Sequence, residues 1–249
     1  MAGGWYYAGV SKDALAGSAM VAENTPLHRF VLEAIDPGTG CVVMEAKVQA
    51  TDASEILDIL APDARSVVLA GAECDLEGDE VERFNARFNL AFEPGALAVR
   101  LRPACRLDDL PYRVHTGREL TLMLGGSKPL AAFCGAYPPI PDREEIPESL
   151  FDPYVAAGRF IKRESISRED PAGESADGPI RGTRRVLYAL PQQAWRIEAY
   201  LLLWESAAKA GWSEGFERME GSLLGYEDWQ NDIFIEQIYR PTVRARRTS

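Results

Sequence analysis

The chain has 249 residues, of which 27 are Lys or Arg and 38 are Asp or Glu, giving a formal net charge of -11. With 46% hydrophobic and 26% charged residues, the composition is that of a globular protein and excludes a collagen-like, wholly disordered or disulfide-scaffold chain. The acidic balance argues against a protein whose main work is to coat nucleic acid or anionic membrane, because its mean field repels phosphate. The length suits one large domain or two small ones.

Four cysteines stand roughly thirty positions apart, so none belongs to a C-x-x-C or Cys/His zinc spacing. The sequence therefore predicts small buried thiols in a reducing cytosol, and a soluble cytoplasmic protein. Two disulfides in an exported protein are the alternative, although the amino terminus lacks the basic start and apolar run of a signal peptide. The longest apolar stretch, at 199–204, is far shorter than the ~20 residues that span a bilayer. We expect no membrane segment, no metal site and no cofactor.

The first half of the chain predicts the order β-β-α-β-α-β. Two β-rich runs flank a turn containing Pro and Gly, as in a hairpin, and a capping box formed by Asp52 and Glu55 opens a helix. Acids load the first turn of a second helix, whose apolar residues follow helical spacing. The predicted strands are 29–35, 41–48, 66–70 and 97–101, and the second helix is 77–88.

The second half predicts further strands and then a helical third. A capping box of Thr116 and Glu119 opens a helix that ends at a Gly-Gly pair. Between two alternating strands, the polar, aromatic-free segment 167–182 is long enough to be either mobile or functional. The predicted strands are 129–134, 159–166 and 183–190, and the helices are one that runs from the capping box at 116–119 through 124, one at 150–157 and three terminal ones. The resulting fold class is α+β, with small mixed or antiparallel sheets covered by helices. A boundary at 105–111 gives domains 1–105 and 111–249, unless the two form one continuous domain.

The helix from Pro191 to Gly211 is nearly all apolar, which predicts that it is buried on most sides. On this prediction Trp195→Ala costs about 3–5 kcal/mol of stability. Ser213 caps the next helix, where Phe216, Met219 and Leu223 are expected to face inward.

His115 stands at the start of a predicted helix, beside Arg118. Exposed N–H groups at a helix start attract anions, so His115 as acid/base and Arg118 as anion clamp suggest a site for a phosphorylated or carboxylated substrate. Cys134 is nineteen positions away in sequence and would become a nucleophile if His115 approached it. The alternative is that His115 bonds a backbone carbonyl and Cys134 is a buried free thiol.

The hairpin 159–190 gathers basic residues, of which Arg184 and Arg185 are candidate anion-binding groups for phosphates or an acidic protein. Acids in the same stretch make a solvated, internally compensated hairpin the competing interpretation. A further segment, 225–232, packs two aromatic residues and several polar ones into a helical turn and a half. Trp229 and Ile233 are expected to share a core face, with Glu227, Asp228, Asn231 and Asp232 outward. Its candidate interaction residues are Tyr226, Asp228, Trp229 and Asp232.

Three functions therefore remain open. We favour a non-catalytic interaction or regulatory module that binds another protein or a second copy, because the chain is acidic and lacks a known catalytic signature. The first alternative is a small enzyme for an anionic substrate, with His115 as acid/base. The second is a nucleic-acid-associated protein that uses the basic hairpin and the Arg-rich carboxyl terminus, against which the net charge argues.

Overall fold

The computed structural model describes residues 28–141, 144–168 and 182–248. Most of the segment 167–182, and the amino terminus considered as a signal peptide, lie outside these residues. The fold class is α+β, as predicted. The described residues form two compact units, an N-terminal unit that ends at Pro111 and a C-terminal unit that begins at Tyr112. Within the described ranges, no helix combines the length and the apolar character needed to cross a membrane.

The N-terminal unit is built on a four-stranded antiparallel sheet with the strand order β2-β1-β4-β3. The β1–β2 hairpin turns where the Asp36 carboxylate accepts hydrogen bonds from the N–H groups of Gly38 and Thr39, at 2.7 and 3.0 Å. Helices cover this sheet and bury Leu32, Phe84 and Leu101. The elements are β1 (His28–Ile35), β2 (Val42–Ala50), α1 (Ser54–Leu57), α2 (Pro62–Leu69), β3 (Cys74–Leu76), α3 (Gly78–Phe88), β4 (Ala98–Pro103) and a 3-10 turn (Arg106–Asp109).

The strand predicted at 66–70 is wrong, because these residues lie in α2. Pro62 stands in the first turn of this helix, where its missing N–H costs no hydrogen bond, and Asp63 adds favourable negative charge there. Only Val68 of the run is buried. The third strand forms instead at Cys74–Leu76, which pairs with β4.

The C-terminal unit contains a three-stranded antiparallel sheet in which β7 lies between β5 and β6. One face packs on α5, where the Phe151 ring lies 4.6 Å from that of Tyr188. The opposite face carries Leu130 and Leu187, which pack with residues of α6 and α7. The elements are α4 (Glu119–Leu124), β5 (Leu130–Tyr137), α5 (Glu148–Ala156), β6 (Ile161–Arg168), β7 (Gly182–Ala189), a 3-10 turn (Pro191–Gln193), α6 (Trp195–Ala210), α7 (Glu214–Leu224), α8 (Asp228–Phe234), a π turn (Ile235–Tyr239) and α9 (Arg240–Thr248).

The helix ends of this unit follow local chemistry in most places. The Ser213 hydroxyl accepts a hydrogen bond from the Phe216 N–H, and Gly225 ends α7 in the left-handed conformation. The capping box predicted for Thr116 and Glu119 is wrong, since α4 begins at Glu119 itself and has no side-chain cap.

Helix α6 is buried on one side only, which contradicts the prediction that it is buried on most sides. Ile197, Tyr200 and Leu203 face the core, whereas Trp195 is 58% exposed and Leu202 is 63% exposed. An apolar sequence does not by itself say which residues find a partner, and the sheet contacts only one side of this helix.

Two adjacent leucines of α6 should therefore respond differently to truncation. Leu203→Ala is expected to lower the free energy of unfolding by about 2–5 kcal/mol because it empties a core position. Leu202→Ala and Trp195→Ala should change it by no more than about 0.5 kcal/mol, since exposed side chains lose little packing. Chemical denaturation followed by circular dichroism measures all three. Equal losses at Leu202 and Leu203 would mean that the outer side of α6 is covered.

Candidate functional site

His115 is enclosed by the C-terminal unit. Its ring stacks on that of Tyr226 with centroids 4.0 Å apart, and its backbone N–H donates to the Tyr226 hydroxyl at 2.8 Å. Lys128 Nζ lies 3.2 Å from His115 Nδ1. Burial and the Lys128 charge lower the pKa of His115 from 6.5 to about 3. The imidazole is thus neutral near pH 7 and is a weak base there.

Arg118 precedes α4, and its guanidinium donates to the Val114 carbonyl at 3.2 Å. The first residue of that six-residue helix is Glu119. A carboxylate at this position counters the attraction of the helix start for anions. The local geometry therefore gives little support to the predicted anion clamp.

Cys134 lies on β5 directly opposite Arg185 on β7. Burial raises the pKa of its thiol to about 11, and the charged groups acting on it are Arg185 and Glu220. His115 instead contacts Lys128 and Tyr226. The structure does not give His115 and Cys134 a shared contact, and a thiol with this pKa is protonated near neutrality.

The inner side of α7 carries two buried glutamates that the sequence analysis missed. Glu217 is 4% exposed and accepts a hydrogen bond from Trp212 Nε1 at 2.6 Å. Glu220 is 5% exposed and accepts one from the Tyr200 hydroxyl at 2.7 Å. Burial raises the pKa of Glu217 to about 8 and that of Glu220 to about 7. The prediction that Met219 faces inward is wrong, because Met219 is 54% exposed and the glutamates take the inner positions.

Lys128 lies beside His115 and interacts electrostatically with Glu220. It is 2% exposed, and its ammonium donates to the Leu224 carbonyl at 3.2 Å. Burial lowers the pKa of Lys128 to about 8, while the charges of Glu119 and Glu220 act in the opposite direction. We call Lys128, His115, Glu119, Glu217, Glu220, Tyr200 and Trp212 the buried polar layer.

Arg185 stacks on Trp204 at the side of this layer, with 4.3 Å between the guanidinium carbon and the ring centroid. It also donates to the Ser167 hydroxyl at 3.0 Å. Arg185 Nε and Trp204 Nε1 are buried without a hydrogen-bond partner in the described part of the chain. Within the buried polar layer itself, most donors and acceptors are paired with one another, which is the pattern of an internal hydrogen-bond network.

Two basic residues of the predicted hairpin, Arg184 and Lys162, are compensated by acids. Arg184 binds Glu148 and Glu164, with shortest distances of 2.5 and 2.9 Å. Lys162 binds Glu148 at 2.6 Å and Asp152 at 2.8 Å. Arg184 and then Lys162 lower the pKa of Glu148 to about 2. Arg185 lies on the opposite face of β7, so the two arginines do not form one basic surface.

The four candidate interaction residues near α8 have different surroundings. Tyr226 is buried, and Asp232 binds Arg218 at 2.5 Å. Asp228 is exposed at the start of α8. Trp229 is 46% exposed, so the prediction that it lies on a core face is wrong, although its ring contacts Tyr112.

Asn231 was also expected to face outward, and this is wrong because it is buried. Its side-chain amide donates to the Ser222 hydroxyl at 3.2 Å, which joins α8 to α7. The close approach requires Gly221, because a Cβ there would lie 2.0 Å from Asn231 Oδ1.

Helix α6 carries two large exposed apolar side chains, Trp195 and Leu202. These two stand seven residues apart on this helix, whereas Ala199 and Ser206 are half-buried and Ala199 packs against the core cluster. These four residues follow one another at spacings of four, three and four, and we call them the outer face of α6. Glu198 and Glu205 flank this face; both are exposed and form no ion pair among the residues that the structure describes. Neither the apolar pattern nor the charge pattern of the sequence separated this face from the core face.

The chain matches no protein-family model, no curated protein and no solved structure.

Proposed function

We propose that this chain is a non-catalytic module that binds another protein through the outer face of α6. The observation that carries the proposal is the exposure of Trp195 and Leu202 on a helix whose other side is core. Burying each of these side chains completely in an interface would contribute about 1.5–3 kcal/mol to the binding free energy. Trp is also enriched among residues that dominate interface energies.

The chemistry of the other candidate residues supports binding rather than catalysis. The low pKa of His115 makes its neutral imidazole a weak base, and the high pKa of Cys134 keeps its thiol protonated near pH 7. His115 contacts Lys128 and Tyr226, whereas Cys134 lies opposite Arg185. Arg184 and Lys162 form ion pairs with Glu148, Glu164 and Asp152, which reduces the attraction of these two residues for phosphates.

Two of the four free cysteines fit the same proposal, whereas Cys105 is exposed, against the prediction of buried thiols. The two that fit, Cys134 and Cys74, have thiol pKa values raised by burial to about 11. Thiols of this kind are inert in a reducing compartment. A cytoplasmic location for the interaction is part of the proposal, and the free thiols support it.

Site-specific photo-crosslinking tests the proposed surface. A photoreactive amino acid at Leu202 should give one discrete adduct with another protein in cells of the source. The matched control is Leu69, an exposed leucine of α2 in the N-terminal unit, where no such adduct is expected. Excess unlabelled protein should suppress the adduct, and the same excess carrying Trp195→Ser should not. Diffuse labelling at both positions would contradict the proposal.

A further inference from the structure

The outer face of α6 has the geometry of a short coiled-coil seam. Its four residues repeat at spacings of four, three and four, as the d and a positions of two heptads do. Large side chains stand at d, namely Trp195 and Leu202, and small ones at a, namely Ala199 and Ser206. At 1.5 Å per residue the seam is about 18 Å long. The shape suits a second helix of about three turns.

Only one flank of this seam is charged and accessible. Glu198 and Glu205 are seven residues apart and occupy the g positions, where coiled coils form their interhelical ion pairs. The e positions on the other flank face the protein. Leu203 is buried there, and Arg196 donates to the carbonyls of Ser222 and Leu223 at 2.8 and 3.1 Å.

The Arg196 guanidinium also lies 4.8 Å from the centre of the Trp195 ring, which holds the indole in place. An anchor that is already ordered loses less entropy on binding.

From this arrangement we infer that the partner of this face is a cationic amphipathic helix, with apolar residues along one stripe and Lys or Arg beside it. The inference rests on the proposed function and names the chemistry of its partner. Unpaired carboxylates at both g positions attract ammonium and guanidinium groups and repel acidic helices.

The same charges argue against a second copy of this chain. An antiparallel pair of α6 helices would place g against g, and so glutamate against glutamate. A parallel pair would place g against e, where Leu203 is buried and Arg196 is already bonded within its own protein. The overall charge of -11 adds to the repulsion between copies.

Two synthetic peptides test the inference. Both have three heptads with Leu at a and d, and they carry either Lys or Glu at every e and g position. We expect the Lys peptide to bind the full-length protein at least tenfold more tightly than the Glu peptide at low salt, by fluorescence anisotropy. Because charges next to the seam cause the difference, it should shrink at high salt. Leu202→Asp should lower the affinity for the Lys peptide more than tenfold.

Charge variants separate the seam from the acidic protein as a whole. Glu198→Lys with Glu205→Lys should reverse the preference, and the milder pair Glu198→Gln with Glu205→Gln should reduce it. Asp63→Lys with Glu82→Lys changes the net charge equally in the N-terminal unit, at two exposed positions, and should leave the preference intact. Circular dichroism checks that each variant is folded.

The outcomes distinguish this inference from the proposed function. If both peptides bind equally and Leu202→Asp abolishes the binding of both, the inference of a cationic partner is wrong. The proposal that this face binds a protein is then still supported. The inference is also overturned if the Asp63 and Glu82 changes remove the preference for the Lys peptide as fully as the Glu198 and Glu205 changes do. The overall charge of the protein would then explain the preference. A dimer in sedimentation that dissociates on Leu202→Asp makes a second copy the occupant. The binding face itself fails only if crosslinking at Leu202 gives no discrete adduct.

Discussion

Replacing Lys128 with methionine is expected to lower the free energy of unfolding of the C-terminal unit by about 3–5 kcal/mol, the usual loss when one partner of a buried charged group is removed. The ammonium is 2% exposed, bonds the Leu224 carbonyl and His115 Nδ1, and lies among the charges of Glu119 and Glu220. Methionine fills similar volume but supplies no donor and no charge. Denaturation followed by tryptophan fluorescence measures the change, because residues 28–111 contain no tryptophan.

Two controls connect the loss to the buried charge. Lys209→Met makes the same replacement at an exposed position of α6 and should change stability by no more than about 0.5 kcal/mol. Adding Glu220→Gln to Lys128→Met should recover part of the loss, because the glutamate then no longer needs a cation; such neighbours couple by about 0.5–3 kcal/mol. If Lys128→Met were as mild as Lys209→Met, the buried polar layer would not stabilise the fold.

Elements with strong local signals were predictable from sequence. Ser213 and Gly225 bound α7 as predicted, because a serine cap and a left-handed glycine act within one helical turn. The helix predicted at 77–88 is found as Gly78–Phe88, with a capping box between Glu77 and Glu80. Each of these features depends on residues three or four positions apart, which a single sequence displays directly.

Predictions failed where contacts between residues far apart in sequence decide the structure. The run at 66–70 is rich in valine, which favours strands, yet Pro62 begins a helix and the edge of the sheet is filled by β3. Trp195 and Leu202 look like core residues by composition, but the sheet packs on the other side of α6. The candidate binding face was therefore visible only after the structure showed which side is covered.

The buried polar layer was the least predictable feature. Lys128 follows a Gly-Gly helix end, and Glu217 and Glu220 are separated from it by about ninety residues. Charged residues are rarely buried unless they are paired, so each alone is expected at the surface. Trp212 and Glu217 are close in sequence, but only tertiary packing brings Glu220 into contact with Tyr200 of α6 and near Lys128.

The layer also bears on the proposed binding face. The hydrogen bond from Tyr200 to Glu220 joins α6 to α7, and that from Trp212 to Glu217 ties the segment between the two helices to α7. The bond from Tyr200 and the burial of Ile197 and Leu203 hold the same side of α6 toward the core. That orientation keeps Trp195 and Leu202 outside, so the internal network and the external face depend on each other.

Replacing Glu217 and Glu220 together with glutamine is expected to stabilise the protein increasingly as the pH rises from 5 to 8. Burial raises the pKa of the two carboxyls from 4.5 to about 8 and about 7. Across this range the folded wild type therefore holds protons that the unfolded chain has released, so its stability falls with rising pH. Glutamine has no proton to lose and still accepts the bonds from Trp212 and Tyr200. The difference in unfolding free energy should grow by about 6 kcal/mol between pH 5 and 8.

The difference between the two proteins isolates the glutamates from other titrating groups. The lowered pKa of His115, about 3, makes stability fall as the pH drops below 6.5, but this contribution is present in both proteins and cancels. Lys128, with a pKa lowered to about 8, acts mainly above the chosen range. Glu214→Gln on the same helix is the control, since its carboxyl has a lowered pKa beside Arg240 and is charged throughout. For Glu214→Gln, the difference in unfolding free energy from the wild type should not vary with pH. A similarly constant difference for the double variant would show that Glu217 and Glu220 are ionised in the folded protein at pH 5. Burial would then not control their protonation.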